Sequence, residues 1–287
     1  MSERIAYLVQ ETSSRKPIIE VKPKDGFFQL DLREIWQYRE LLYFLVWREV
    51  KVRYKQTAIG VAWVLLQPLL TMAIFTVIFG LFAKLPSEGL PYPVFVYVAV
   101  LPWTYFAEAT ARSGSSLVGD ANLLRKVYFP RLIIPLAAVI APLVDFGLAF
   151  LLLLCLMAWY GIAPTWGFVF LPALLFFAFC TAFAVGLWLS TLNVKYRDVR
   201  YAIPFLTQLW MYASPVAYAA SVVPERWRVI YGLNPMASVI DGFRWGLLGK
   251  GALDFHAMII SAGGILIVLL GGLIFFKRME STFADVV

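Results

Sequence analysis

The sequence predicts an all-α integral membrane protein. It reads as six transmembrane helices, an N-terminal amphipathic interface helix before them, and a re-entrant helical pair before the last span. Three observations carry this. Hydrophobic residues fill 61% of the 287 positions and charged residues only 15%, against about half and about a quarter in soluble domains. Apolar runs of membrane length recur along the chain, since a hydrocarbon core of about 30 Å needs about 20 helical residues. A densely basic stretch, REVKVRYKQ (48–56), stands directly against the first of those runs.

Residues 1–31 read as a cytoplasmic N-terminal arm. They are polar and of mixed charge, without the apolar core of a secretory signal, so insertion uses the internal spans. Residues 32–59 form the interface and gate helix. On a helical projection Arg33, Gln37, Glu40, Arg48, Lys51 and Lys55 gather on one arc, while Ile35, Leu42, Tyr43, Leu45, Val46 and Val50 dominate the other side. Phe44 intrudes on the polar arc, and Glu49 and Arg53 interrupt the apolar side. This pattern suits a helix that lies at the membrane surface and also touches protein. The change at Gly60 marks a hinge between interface and bilayer.

Residues 60–287 form the transmembrane domain, with spans at about 61–83, 91–111, 132–159, 166–192, 202–219 and 257–276. The fifth is short and flanked by prolines. The segment 220–255 is long and amphipathic, broken by Asn234-Pro235, and each half is too short to span. Either the two halves dip back into the membrane, with their backbone shielded by protein, or they lie flat outside it. Of the 25 lysines and arginines, 20 fall before residue 60, in 112–131, in 193–200 or in the tail. That excess marks the cytoplasmic side, so both termini lie inside, in agreement with an even number of spans.

The net charge of +7 does not point to nucleic acid, because the basic residues sit at the ends of apolar runs. Phosphate-loop, nucleophile-elbow and metal-ligand spacings are absent, and the single histidine, His256, opens the last span. Cys155 and Cys180 lie inside apolar runs without ligand spacing. No catalytic, metal or cofactor site is expected in this chain, and any ATP and magnesium that drive it belong to a partner subunit.

Two connections are compact, aromatic and basic: GDANLLRKVYFPRLIIP (119–135), with Asp120 or Asn122 as a helix cap, and NVKYRDVRYAIP (193–204). They suit docking into a partner's groove or serve as plain topology signals. Asp145, near the middle of the third span, is costly there; it serves helix packing or meets substrate. Glu108 lies near the end of the second span, close in sequence to Arg112. Rings recur through the spans, among them Trp63, Phe75, Trp103, Tyr105, Trp210 and Tyr212. They would suit sliding contacts with sugars, and they equally fit interfacial belts and lipid-facing filler.

Four long stretches, taken in order, closely resemble the permease subunits of type-2 ABC exporters of the O-antigen, capsule and teichoic acid class: LREIWQYRELLYFLVWREVKVRYKQTAIGVAWVLLQPLLTMAIFTVIFG, NLLRKVYFPRLIIP, LNVKYRDVRYAIPFLTQLWMYASPVAY and YGLNPMASVIDGFRWGLLG. The resemblance runs from about residue 30 to the C-terminus. It implies a homodimeric permease in the bacterial inner membrane, bound to two copies of a cytoplasmic ABC ATPase and moving an undecaprenyl-pyrophosphate-linked glycan. On matching positions Arg48, Lys51, Arg53 and Lys55 stand at the substrate entrance, near lipid phosphates. Asn122, Leu124, Arg125, Lys126, Tyr128 and Arg131 form the main coupling contact, and Lys195, Tyr196, Arg197 and Arg200 a second. Trp63, Phe75, Trp103, Tyr105, Asp145, Trp210 and Tyr212 would line the channel. Export of another amphipathic substrate, such as a drug, a lipid or a short glycolipid, is the alternative. A membrane glycosyltransferase would need acidic motifs beyond Glu225, Asp241 and Asp254 in its one long loop.

Overall fold

The computed structural model describes residues 32–55, 60–227, 231–251 and 254–286. The arm at 1–31 and the junction just before Gly60 lie outside the described residues. The described residues belong to one compact unit, Asp31–Val287, and among them every regular element is helical.

The interface segment forms α1 (Leu32–Gln37) and α2 (Arg39–Lys55), separated at Tyr38. The first span, α3 (Gly60–Phe75), continues as a π-helix over Thr76–Phe82. Its wide turn accompanies a close approach, since a Cβ on Gly80 would lie 2.9 Å from the Tyr92 ring. The second span, α4 (Tyr92–Gly119), is longer than the expected 91–111 and opens on prolines, which a first helical turn accepts. After α5 (Ala121–Lys126), the third span divides into α6 (Ile133–Ile140) and α7 (Pro142–Trp159), because Pro142 has no N–H to continue the ladder. A 3₁₀ turn (Trp166–Phe170) leads into α8 (Leu171–Lys195), and α9 (Val199–Tyr212) follows. The last two helices are α10 (Pro235–Leu248) and α11 (Phe255–Val286).

Among the described residues, five helical segments are long and apolar enough to cross a membrane: Ala62–Phe82, Tyr92–Gly119, Ile133–Trp159, Trp166–Lys195 and Phe255–Glu280. The expected span at 202–219 is instead the 14-residue α9 followed by turns. At about 1.5 Å per residue α9 is about 21 Å long, short of the hydrocarbon thickness. The expected helical pair is half visible. Its second half is α10, with Asn234 as the N-cap, accepting from the Met236 N–H at 3.1 Å, and Pro235 at the first position. Its first half shows the 3₁₀ turns Ala220–Val222 and Glu225–Trp227, and residues 228–230 lie outside the described residues. Asn234 also ties α10 to the end of α9, accepting from Trp210 Nε1 at 2.9 Å and donating to Ser214 Oγ at 2.9 Å.

The axis of the bundle is α4, whose most apolar stretch is 78% buried, against 11–33% in the other four candidate spans. Small residues permit this crowding, as in other helix pairs that meet inside a bilayer. A Cβ on Gly186 of α8 would stand 2.4 Å from Ser113 Oγ, and Asn193 donates to the Gly114 carbonyl at 3.0 Å. Trp188 closes α8 onto α11, donating to the Val268 carbonyl at 2.9 Å above Gly271 and Gly272. A second apolar cluster gathers Leu45 of α2, Leu117, Leu124, Phe129, Ile133, Val194 and Phe283. It gathers the basic connections at one end of the bundle.

The Gly186 contact makes a direct test. Gly186→Val drives two methyl groups into Ser113 and should cost about 1–3 kcal/mol, whereas Gly263→Ala, with no atom within 4 Å of its Cβ, should be neutral. The fraction of monodisperse protein after heating in detergent checks both: a clear downward shift in midpoint for the first and none for the second.

Candidate functional site

Two cavities flank the C-terminal half of α2. The larger, of about 440 Å³, is walled by Arg53 of α2, Trp63, Gln67 and Pro68 of α3, Thr104, Glu108 and Arg112 of α4, and Asp145 and Phe146 of α7. The smaller, of about 230 Å³, is lined by Arg48, Glu49, Ser116, Asp120 and Ala137, among others. Arg112 lines both cavities.

The charges between them form one ladder. Arg48 donates from Nη2 to Asp120 at 2.7 Å and to Glu49 at 3.1 Å. Arg112 reaches Glu49 at 3.5 Å and, through Nε, Glu108 Oε1 at 2.6 Å. Arg53 Nη2 donates to the same Glu108 oxygen at 2.9 Å, and its other amino nitrogen pairs with Asp145. The Tyr54 hydroxyl donates to the remaining Asp145 oxygen. Three arginines thus face four carboxylates along a path from the start of α5 to the start of α7.

Helix α2 can do this because its packed face is mixed. Leu42, Leu45 and Val46 on that face meet the apolar cluster at the basic end. Glu49 and Arg53, which interrupted the apolar side of the projection, lie on the same face and meet α4 and α7. The rings Tyr43, Phe44 and Trp47 stay exposed. Arg48 and Arg53 differ electrostatically. The hydrogen bond to Asp120 raises the Arg48 guanidinium above its ordinary value, with burial opposing. Burial first, and then neighbouring Arg112, lower Arg53 below its own, with Glu108 opposing.

Of the residues expected at a substrate entrance, Lys51 and Lys55 are exposed, while Arg48 and Arg53 face inward into ion pairs. The expected cap splits as well. Asp120 stands at the N-cap of α5, but its side chain accepts from Arg48 rather than from the helix. Leu124 is buried, and Asn122, Arg125, Lys126 and Tyr128 are exposed. Residues 124–129 and Arg131 line a shallow cavity of about 300 Å³. Arg131 also donates to the Glu280 carbonyl of α11. Lys195, Tyr196, Arg197 and Arg200 are all exposed, with Arg200 4.7 Å from the Tyr201 ring centre. Among the expected channel rings, Trp63 and Tyr212 are exposed, Trp210 is half-buried against Phe106, and Phe75, Trp103 and Tyr105 are buried inside this chain.

At the opposite end the structure adds a feature that charge counting had treated as topology. Arg244 of α10 is 3% exposed and sits 3.7 Å from the Phe95 ring centre. It donates to the Tyr218 and Val216 carbonyls at 2.9 and 3.0 Å. Asp241 lies 3.9 Å away and accepts from the Tyr231 hydroxyl at 2.9 Å. The three-residue spacing of Asp241 and Arg244 inside an apolar helix was its only mark in the sequence.

Comparison with known proteins places this geometry in context. Residues 40–248 match the ABC-2 type transporter family. The chain is 30% identical over 257 residues to the O-antigen export system permease protein RfbA of Myxococcus xanthus, covering 88% of this chain and 98% of that one. It is 29% identical over 249 residues to the protein of the same name from Klebsiella pneumoniae, covering 86% and 95%. Over 246 residues it is 22% identical to the polysialic acid transport protein KpsM of Escherichia coli, covering 81% and 91%.

The ladder makes a sharp mutational prediction. Removing one partner of this partly buried pair leaves the other charge short of a partner and should cost about 1–3 kcal/mol, while an apolar replacement of both is cheaper. Arg53→Leu and Asp145→Leu should each lower the thermal midpoint of the detergent-purified protein markedly. The double variant should recover most of the loss.

Proposed function

This chain belongs to the ABC-2 type transporter family, and on that footing we propose that it is the channel-forming permease subunit of an ATP-driven exporter. Its cargo is a lipid-linked polysaccharide that crosses the bacterial inner membrane. The relatives named for O-antigen export and polysialic acid transport supply the substrate class. The observation that carries the reading is the cavity between α2 and α3. It combines a cluster of paired charges with an apolar wall, which is what a lipid-borne anionic headgroup needs in order to leave the bilayer surface.

In this reading the basic end faces the cytoplasm, and both termini lie there. Helix α9 with its following turns serves as the fifth span, and α10 is the re-entrant element closing the outer side. The buried Arg244 contacts support this, since they bind α10 to Phe95 and to the turn after α9. Two copies of the chain form the path, with the exposed rings Trp63 and Tyr212 facing it. Phe75, Trp103 and Tyr105 hold each protomer together. An undecaprenyl-pyrophosphate-linked glycan enters headgroup first, past Lys51 and Lys55. No bond is made or broken on this chain. Two copies of a cytoplasmic ABC ATPase bind ATP and magnesium, dock on residues 122–131 and 195–200, and push the bundle between states that differ in affinity for the ATP-bound partner.

The ladder gives this push a route. Asp120 begins the docking helix α5, and Arg48 and Glu49 carry its position to Arg112 and the cavity. The Arg125→Glu, Lys126→Glu double variant should insert and dimerise normally yet lose stimulation of the partner ATPase by lipid-linked glycan, with at least a tenfold drop in the stimulated increment. Undiminished stimulation would remove residues 122–131 from the coupling role.

A further inference from the structure

The geometry points to Glu108 as a resident anion that sets the affinity threshold an arriving anion must exceed to enter the cavity. It admits lipids bearing two adjacent phosphates and keeps out the singly charged phosphodiesters of the surrounding bilayer. This rests on the proposed reading of the cavity as a lipid entrance, and names what that entrance selects.

Two arginines converge on one atom. Arg53 Nη2 at 2.9 Å and Arg112 Nε at 2.6 Å both donate to Glu108 Oε1, so this oxygen occupies the point where an arriving anion would find both cations. The flanking carboxylates are placed differently. Asp145 is 15% exposed and doubly engaged by Arg53 and Tyr54, and Glu49 is shared between Arg48 and Arg112. Glu108, at 46% side-chain exposure, is the most open member of the ladder. It is therefore the carboxylate released to water at least cost, and the space it leaves adjoins the apolar wall of Trp63, Pro68 and Phe146.

Charge then decides which ligand wins. Without Glu108 the converging arginines would be a general anion trap open to the membrane surface, where phosphodiester headgroups outnumber any export substrate. With it, a single negative charge that displaces the carboxylate exchanges one anion for another and gains little. A diphosphate brings a second charge and more acceptor oxygens, so each guanidinium keeps a partner and the exchange becomes favourable. The apolar wall adds the requirement for a lipid chain.

The test uses the permease with its ATPase partner in nanodiscs carrying radiolabelled undecaprenyl diphosphate. Competitors are phosphatidylglycerol and inorganic diphosphate. In the unaltered protein phosphatidylglycerol should displace label only at a large excess. In Glu108→Gln, which keeps the side-chain shape and an acceptor oxygen, it should do so at a concentration at least tenfold lower. Glu108→Asp should restore much of the threshold against phosphatidylglycerol, separating the charge from the packing. Phosphatidylglycerol competition at the same concentration in Glu108→Gln as in the unaltered protein would overturn the assignment while leaving the entrance in place. Absence of saturable diphosphate-lipid binding, or binding untouched by the Arg53→Ala, Arg112→Ala double variant, would instead overturn the entrance reading itself. Displacement by inorganic diphosphate as strong as by the lipid would contradict the apolar part of the recognition.

Discussion

A carboxylate set midway along an apolar span must be compensated, and in this protein Asp145, in the first turn of α7, is paired with Arg53 and hydrogen-bonded by Tyr54, both of α2. Bare charge at that depth costs several kcal/mol, so the pair decides where α2 can lie. Its C-terminal end is drawn against α7, its aliphatic residues fall onto the cluster at the basic end, and its rings Tyr43, Phe44 and Trp47 are left outward. The larger cavity is a consequence, because an α2 held at Asp145 and an α3 starting at Gly60 enclose the space above Glu108 and Arg112.

From that fixed point the ladder extends back to Asp120, so that the proposed docking surface and the cavity share one set of charges. Arg112 is the joint between them. Partly buried pairs of this kind are modest in net stability but strongly directional, which suits elements that must shift together and return. The opposite end is held by different means. Arg244 is sealed under α10 on backbone carbonyls and the Phe95 ring, with little to exchange for. The two ends of the bundle thus differ in kind: one holds interchangeable carboxylates, the other a closed guanidinium clamp.

Much of this was legible from residue order. Asn234-Pro235, read as the break in the segment 220–255, falls at the boundary where Asn234 caps α10. Glu108, read as lying close to Arg112, forms an ion pair with it four residues on. The apolar runs become helices of membrane length, except at 202–219, where the period stops at Tyr212 and the polar needs of the following turn are met by Asn234 and Arg244 from far along the chain. Such long-range partners leave no local trace. Asp120 shows the same limit, since its position suits a cap but a distant arginine takes its carboxylate. The most informative sign was an irregularity. Glu49 and Arg53 spoil the apolar side of an amphipathic helix, and they are the residues that reach α4. Their type was visible, and their partners could be known only once the helices were packed.

The central claim is that the space between α2 and α3 admits the lipid headgroup, and site-specific photocross-linking measures it directly. A photoreactive residue at Gln67, which lines the cavity, is compared with one at Leu270, exposed on the last span, in the complex with radiolabelled diphosphate-linked glycolipid and no ATP. The account predicts labelling at 67 at least tenfold above that at 270. Equal labelling at the two positions would place the glycolipid in the surrounding bilayer and contradict it.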